Sequence, residues 1–221
     1  SYFSNSPLSG DMANPASDKI AALLQPFAAE LLPGTLDGYA LPVSDGSEAN
    51  RASLRKATAL LQEAGWTVQS GQLVDASGKP FAFEILLQNG ADDMIAAANI
   101  YVEALKRLGI QAQVQTVDAA VYKQRTTDYA FDMTHIVRSL SLSPGNEQKL
   151  YWGAEQADQP GSRNLSGIKS PAIDATINAM LATQDREEFI TAAQALDRLL
   201  TAGRYVVPIW YSNVSHIAHA K

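Results

Sequence analysis

Residues with catalytic potential are few in this sequence, and their spacing does not favour catalysis. The chain contains no cysteine, and its histidines are His135, His216 and His219. No histidine has a metal-ligating partner four residues away, the spacing that places two ligands on one helix face. Two acidic pairs, at 92–93 and 187–188, each open a predicted helix, where negative charge favours the helix dipole. We therefore predict no metal centre and no pair of acid–base carboxylates.

Sequence motifs of enzymes are also absent. The chain has no Gly-x-Ser-x-Gly turn, no phosphate-binding loop that ends in Gly-Lys, and no Gly-x-Gly-x-x-Gly loop. The lack of cysteine excludes disulfides, thiol catalysis and thiolate metal sites together. We predict that the protein is not an enzyme and uses no cofactor. An α/β hydrolase-like domain stays an alternative, although no nucleophile, histidine and acid occur in a recognisable constellation.

The charge pattern argues against a nucleic-acid partner. The formal net charge is −6, from 17 basic and 23 acidic residues. The densest basic cluster, Arg51, Arg55 and Lys56, lies on a predicted helix beside Glu48 and Glu63. A duplex-binding surface needs clustered basic side chains to neutralise phosphates, so we interpret this mixed cluster as a solvated helix face. No apolar stretch approaches the roughly 18–20 residues that span a bilayer.

Periodic segments predict the elements that position the remaining polar residues. Helices are predicted at 20–32, 50–64, 92–108, 171–181 and 185–202, with shorter ones after Asp118 and at 147–152. Asp118 and Asp185 are predicted N-caps, and Gly65 and Gly203 are predicted helix stops. The helix at 50–64 is predicted to turn one apolar face inward, formed by Leu54, Ala57, Leu60, Leu61 and Ala64. Strands are predicted at 66–68, 72–74, 81–87, 110–117, 129–137, 205–210 and 214–218. Strands that alternate with helices favour an α/β fold with a mixed, mostly parallel sheet flanked by helices. Ligands collect outside the carboxyl ends of such strands, which points to the loops after Val117 and Val137.

Several short segments then occur in a recognisable order: 60–66 (LLQEAGW), 105–110 (LKRLGI), 131–133 (FDM), 164–174 (NLSGIKSPAID), 196–198 (LDR) and 208–211 (PIWY). They resemble motifs of the family 5 extracellular solute-binding proteins, which serve ABC importers for peptides, nickel complexes and related solutes. Segments 141–148 (SLSPGNEQ), 151–152 (YW) and 158–164 (DQPGSRN) are similar to the YejA-like branch of that family, associated with oligopeptide and microcin C uptake.

The resemblance implies a fold, an organisation and a function. The fold is that of the C-terminal lobe of a type 2 periplasmic binding protein, and an N-terminal lobe and signal peptide are expected in the full-length protein. Residues 1–46 are expected to enter from that lobe, 47–203 to form the ligand-binding lobe, and 204–221 to return. The implied function is to bind peptides or peptide-like solutes in an interlobe cleft, in the periplasm of a Gram-negative bacterium, for delivery to ABC permease subunits.

The same resemblance, with the predicted strand ends, selects the candidate ligand contacts: His135, Arg138, Ser139, Ser141, Asn146, Tyr151, Trp152, Arg163 and Asn164. Polar groups at strand ends are suited to pair with a peptide main chain, and aromatic rings to cover its side chains. Plain structural interpretations stay open for several of them. Trp152 suits a core, Asn164 a turn, Arg138 a solvated surface and His135 a hydrogen-bonded interior.

One departure from the family bears on the ligand. Peptide receptors of this family carry an acidic residue just after the strand, which pairs with the α-amino group of the peptide. The matching segment, 138–143, contains neither Asp nor Glu. A formylated, modified or internally bound ligand is therefore a plausible alternative to a free N-terminus. A sensory ligand-binding module stays open as an alternative use of the same lobe.

Overall fold

Three parallel strands form the sheet at the centre of one half of the molecule. A computed structural model describes residues 2–4, 6–43, 46–47, 49–138, 141 and 143–210. Strands β3 (Ala82–Gln88), β4 (Gln111–Val117) and β5 (Met133–Thr134) lie in the order β4-β3-β5. The pairs Ala82↔Gln111 and Gln88↔Val117 set the register of β3 with β4. The predicted parallel α/β sheet is therefore confirmed.

The two helices that connect these strands lie on opposite faces of the sheet. Helix α3 (Asp92–Lys106) joins β3 to β4, and helix α4 (Ala119–Thr127) joins β4 to β5. Ile85 packs with α3 in the main hydrophobic core. The preceding residue of β3, Glu84, instead forms an ion pair with Arg125 of α4, whose guanidinium donates a 2.7 Å hydrogen bond to the Glu84 carboxylate. Side chains alternate along a strand, so each face of β3 is covered by a different helix.

Apolar side chains of α3 and of the neighbouring strands build the core between α3 and the sheet. Its buried members are Leu73, Ile85, Leu87, Met94, Ala98, Val102, Leu105, Ile110 and Ala112. A hairpin of β1 (Thr67–Gln69) and β2 (Gln72–Val74) closes one side of it. Ser70 and Gly71 both have positive φ, 50° and 81°, as a two-residue type I′ turn requires. The hairpin approaches Gly109 so closely that a Cβ there would lie 2.7 Å from the Leu73 nitrogen.

Strand β5 is much shorter than the predicted strand at 129–137. Tyr129 has φ of 55°, and the Ala130 amide donates to the Arg125 carbonyl, so the chain here finishes the α4 turn. The Asp132 carboxylate then accepts from the Glu84 amide at 2.9 Å, where a strand would offer a carbonyl. Only the pairs Ile85↔Met133 and Leu86↔Thr134 form between β3 and β5, because the Asp132 side chain occupies the Glu84 amide that a longer strand would pair through its backbone.

Helices α2 (Arg51–Glu63) and α5 (Glu147–Trp152) belong to the same half. The predicted stop of α2 at Gly65 is confirmed, since Gly65 has φ of 87° and the Trp66 amide donates back to the Leu61 carbonyl. The predicted inward face is wrong in part. No α2 residue is buried, and Leu60 is 55% exposed.

Helices α1 (Asp18–Leu24), α6 (Pro171–Ala182) and α7 (Arg186–Gly203) pack together in the second half. Helix α1 is shorter than the predicted 20–32 because Pro26 converts the chain to a 3₁₀ turn at Gln25–Phe27. The predicted cap of α7 is confirmed, since the Asp185 carboxylate accepts from the amides of Glu187 and Glu188. The helix includes Gly203, and Arg204 takes the left-handed position instead, with φ of 52°.

Two buried ionic side chains on α7 hold the N-terminal segment. The Arg198 guanidinium, 0% exposed, donates to the carbonyls of Gly10, Asp11, Asn14, Thr35 and Leu36 at 2.7–3.1 Å. Asp197, also 0% exposed, accepts from the Gly10 amide at 2.7 Å. The LDR segment at 196–198 is thus explained by structure, because it supplies partners for backbone groups that no helix or strand pairs.

The chain divides into two compact units. One contains Ser1–Tyr39, Leu142–Asn146 and Ser170–Lys221, and the other contains Ala40–Ser141 and Glu147–Lys169. Helices α6 and α7, which the sequence places in the lobe of residues 47–203, therefore group with the N-terminal segment. The strand predicted at 205–210 does not form, and the one at 214–218 lies outside the described residues. No helix in the described ranges is long and apolar enough to cross a membrane.

Candidate ligand-binding site

A pocket opens at the carboxyl end of β3, where the sheet geometry predicts a ligand. Its volume is about 280 Å³, and we call it the β3 pocket. It is lined by Leu87, Gln88, Asn89, Gly90, Ala91, Tyr122 and His135. Each of the three elements at this edge contributes: the turn from β3 into α3, one side chain of α4, and the end of β5. The pocket therefore sits at the sheet edge toward which all three parallel strands run.

A chain of hydroxyl groups fixes the β5 side of the pocket. The Thr134 hydroxyl donates to the Leu86 carbonyl at 2.9 Å, across the sheet. The Tyr122 hydroxyl lies 3.0 Å from the Thr134 hydroxyl and donates to the His135 carbonyl at 3.1 Å. Helix α4 thus holds the backbone that carries His135, although β5 has already ended. Tyr122 positions the pocket wall as well as lining it.

The polar side chains that line this pocket are uncharged. His135 is half-buried, and burial lowers the pKa of its imidazole, so the ring is neutral at pH 7. Gln88 and Asn89 are exposed, and each amide group offers both a donor and an acceptor. The Asn89 backbone amide continues the ladder by donating to the Val117 carbonyl at 2.8 Å.

A second group of candidate residues forms a stack that we call the arginine stack: Arg138, Tyr151, Trp152 and Arg163. The Arg138 guanidinium carbon lies 4.0 Å from the Trp152 ring centroid and 4.4 Å from that of Tyr151. Arg163 approaches Tyr151 at 5.9 Å, and Arg138 donates to the Arg163 carbonyl at 3.2 Å. Arg138 is thus held by aromatic faces, which stabilise its charge, and is not merely a solvated side chain.

Two of the predicted contact residues are internal supports. Trp152 is 1% exposed, and its indole donates to the Gln148 side chain at 3.0 Å. Asn164 is 0% exposed; its amide donates to the carbonyls of Gly153 and Ile168 and accepts from the Ile168 amide, all within 3.0 Å. The core and turn interpretations raised from the sequence therefore describe these two side chains. Trp152 supports α5, which carries Tyr151, and Asn164 supports the turn that follows Arg163.

The remaining candidate residues fall elsewhere. Ser139 lies outside the described residues, Ser141 is exposed, and Asn146 is an exposed residue of the other compact unit. Sequence reasoning missed Gln88, Asn89 and Tyr122. The sequence did contain a signal for Gln88 and Asn89, because the rule that selected the loops after Val117 and Val137 applies equally to the loop after the predicted strand at 81–87. In the part of the chain that the structure describes, no group of acidic residues and histidines is arranged to hold a metal ion.

This architecture is found in known solute receptors. The chain is similar in structure to the oligopeptide-binding protein AppA of Bacillus subtilis, with TM-score 0.60, 19% identity, and coverage of 93% of this chain and 41% of that one. It is similar to a periplasmic oligopeptide-binding protein of Thermotoga maritima, with TM-score 0.64, 18% identity, and coverage of 93% and 41%. The fold is therefore that of the type 2 periplasmic binding proteins, as predicted.

The sequence comparison identifies the family. The sequence model of the bacterial extracellular solute-binding proteins, family 5, matches residues 18–159, and the chain belongs to this family. It is 41% identical over 227 residues to the peptidoglycan-binding protein YepA of Agrobacterium fabrum, covering 100% of this chain and 36% of that protein. It is 38% identical over 182 residues to the probable peptide-binding protein YejA of the same organism, covering 82% and 29%. The predicted YejA-like branch is confirmed, and the chain spans about a third of the length of its curated relatives.

Proposed function

We propose that this chain forms the half of an ABC-importer receptor that holds a peptide or peptide-like solute against the carboxyl edge of its sheet. The β3 pocket carries the proposal, because an opening lined by uncharged polar side chains at this edge is suited to bind a ligand. In the whole protein, we expect a second lobe to close over the ligand, and the loaded receptor to deliver it to permease subunits from the periplasm.

The spacing of the β3 pocket and the arginine stack suits an extended peptide. Three peptide units separate His135 from Arg138, so their Cα atoms lie no more than about 11 Å apart. Three residues of an extended peptide span about 10 Å. A ligand of that length reaches from the pocket to the stack, where Tyr151 offers an aromatic face and Arg163 an exposed cation. Ser139, Ser141 and Asn146 stay proposed contacts from the intervening loop.

The names of related proteins support this class of solute. YepA is named as peptidoglycan-binding and YejA as a probable peptide-binding protein, and AppA was solved with a nonapeptide. Peptides and the peptide part of peptidoglycan share amide groups, carboxylates and small side chains. The proposal therefore covers both sources.

Mass spectrometry of the full-length receptor, purified without denaturation, tests this function. We expect a peptide or peptidoglycan fragment to be bound in a one-to-one complex and to leave unchanged on denaturation. The Arg163→Gln variant removes the exposed cation of the stack and should retain less of that ligand. Arg186→Gln removes an equally exposed arginine at the start of α7 and should retain as much as the unchanged protein.

Three results would contradict the proposal. The first is a receptor that carries no small molecule and retains no added peptide. The second is an equal loss of ligand retention in Arg163→Gln and Arg186→Gln, and the third is cleavage of added peptides into products. The last of these would favour the hydrolase alternative.

A further inference from the structure

We propose that the β3 pocket recognises an uncharged amide of the ligand and discriminates against a free ammonium group. This inference rests on the proposed function and specifies which chemical group of a peptide the pocket accepts. A blocked N-terminus or an internal peptide bond fits the pocket, whereas the free α-amino group of an ordinary peptide does not.

The chemistry of the lining residues carries the inference. Among the described residues, those that line the pocket include no aspartate, glutamate, lysine or arginine. An ammonium group that leaves water needs a carboxylate to compensate its desolvation, and this lining supplies none. A neutral amide loses much less hydration and needs one donor and one acceptor in return. The side chains of Gln88 and Asn89 each supply both.

The first turn of α3 borders the pocket without adding a charged group to its lining. Gly90 and Ala91 line the pocket and lead directly into the fifteen-residue helix α3. Asp92 and Asp93 lie in the first turn of that helix, where their charges offset the positive end of the helix dipole. Both side chains are exposed and neither lines the pocket, so water screens them from a ligand bound there.

Histidine 135 completes the neutral lining. Its ring is half-buried at the pocket wall, and the Tyr122 hydroxyl holds its carbonyl in place. A neutral imidazole presents one donor and one acceptor, so it can bond either side of an amide. Protonation would place a positive charge in the same wall and would disfavour an ammonium group further.

A competition between chemically matched peptide libraries tests the inference on the full-length receptor. Three equimolar libraries of random tripeptides are mixed: one with free amino termini, one N-acetylated and one N,N-dimethylated, each with its own isotope label. The dimethyl form adds bulk but keeps the positive charge, so it separates charge from size. After removal of resident ligand, the receptor is incubated with the mixture at pH 7.5, and the retained peptides are counted by mass spectrometry.

We expect the acetylated library to be retained at least tenfold over the other two. The Asn89→Asp variant places a carboxylate in the pocket, where it can form a charge-assisted hydrogen bond with an ammonium group. We expect this variant to lower the preference for acetylated peptides at least tenfold. Asn99→Asp makes the same charge change on the exposed side of α3, about 10 Å along the helix from its first residue, Asp92, and should leave the preference unchanged.

The possible results separate the two proposals. Equal or greater retention of the free-amine library by the unchanged receptor overturns the inference but leaves the proposed peptide receptor intact. A preference for acetylated peptides that Asn89→Asp does not alter shows that the discrimination arises outside the β3 pocket, which also overturns the inference. Retention of none of the three libraries counts against peptide binding itself, and hence against the proposed function.

Discussion

Removal of the Arg198 guanidinium should strongly destabilise the unit built from α1, α6, α7 and the N-terminal segment. Arg198→Met keeps the length and most of the apolar volume of the side chain, so the change isolates the charged donors. The guanidinium donates to five backbone carbonyls, those of Gly10, Asp11, Asn14, Thr35 and Leu36, through bonds of 2.7–3.1 Å. Since Arg198 is 0% exposed, no water replaces it in the folded state.

The expected loss in the free energy of unfolding is about 3–5 kcal/mol. A single hydrogen bond to a charged group contributes about 1.5–3 kcal/mol, but bonds in one network do not add. The loss should instead match that for breaking a buried ionic network by removing one partner, about 3–5 kcal/mol. Asp197 on the adjacent position contributes to this value, because its buried carboxylate loses a nearby positive charge.

Urea unfolding followed by circular dichroism measures this loss, with Arg186→Met on the exposed start of the same helix as the control. Hydrogen exchange adds a local readout. The amides of Ala16 and Tyr39, which bond the carbonyls of Leu36 and Met12 at 2.7 Å, should lose protection in Arg198→Met. A loss below about 1 kcal/mol, or one equal to that of Arg186→Met, would refute the view that the guanidinium organises the segment.

Three further changes address the sheet edge and its support. Tyr122→Phe removes the hydroxyl that donates to the His135 carbonyl, so it should lower the free energy of unfolding by about 0.5–1.5 kcal/mol and weaken ligand retention. Tyr39→Phe, in the other unit, is the control. Equal ligand retention by the two variants would contradict the positioning role of Tyr122. Asn164→Ala leaves three buried backbone groups of Gly153 and Ile168 without partners, so it should lower the free energy of unfolding, measured in urea, by about 2–4 kcal/mol. A loss below about 1 kcal/mol would show that this turn does not need the Asn164 amide. Burial lowers the pKa of His135, so the unfolded chain binds its proton first: the contribution of the neutral ring to stability is complete above the unfolded pKa of about 6.5 and declines as the pH falls toward the folded value. His135→Gln should therefore reduce the decline in stability between about pH 7 and 5, and an unchanged decline would show that another group causes it.

Local signals in the sequence predict the helices of this protein well. Asp118 and Asp185 cap α4 and α7 as expected, because a short carboxylate can reach only the amides of the next turn. The two-residue turn at Ser70-Gly71 is equally local. These features need no knowledge of distant parts of the chain.

The predictions that failed depend on distant partners. The β5 strand is cut short because the Asp132 carboxylate accepts from the distant Glu84 amide, while the Ala130 amide donates to the Arg125 carbonyl and completes the α4 turn. No local sequence pattern indicates that the Asp132 carboxylate, and not a backbone carbonyl, will accept from the Glu84 amide. The predicted strand at 205–210 has strong β propensity but no pairing partner among the described residues, and propensity alone does not form a strand.

The candidate site was predicted in position more than in composition. The strand-end rule pointed to the sheet edge at which the β3 pocket lies, and the candidate residues included His135. Sequence reasoning did not distinguish Trp152 and Asn164, which are buried supports, from Tyr151 and Arg163, which are not buried. That distinction depends on burial, and burial depends on packing that an aromatic or amide residue type does not specify.

The buried arginine of α7 also has a consequence for biosynthesis. Its partners Gly10 and Thr35 precede it by 188 and 163 positions. At about 5–20 residues per second, a ribosome needs about 10–40 s to reach Arg198 after it has made those partners. Throughout that interval residues 10–36 lack the side chain that completes their hydrogen bonds. This segment can therefore acquire its native hydrogen bonds only after α7 has been synthesised.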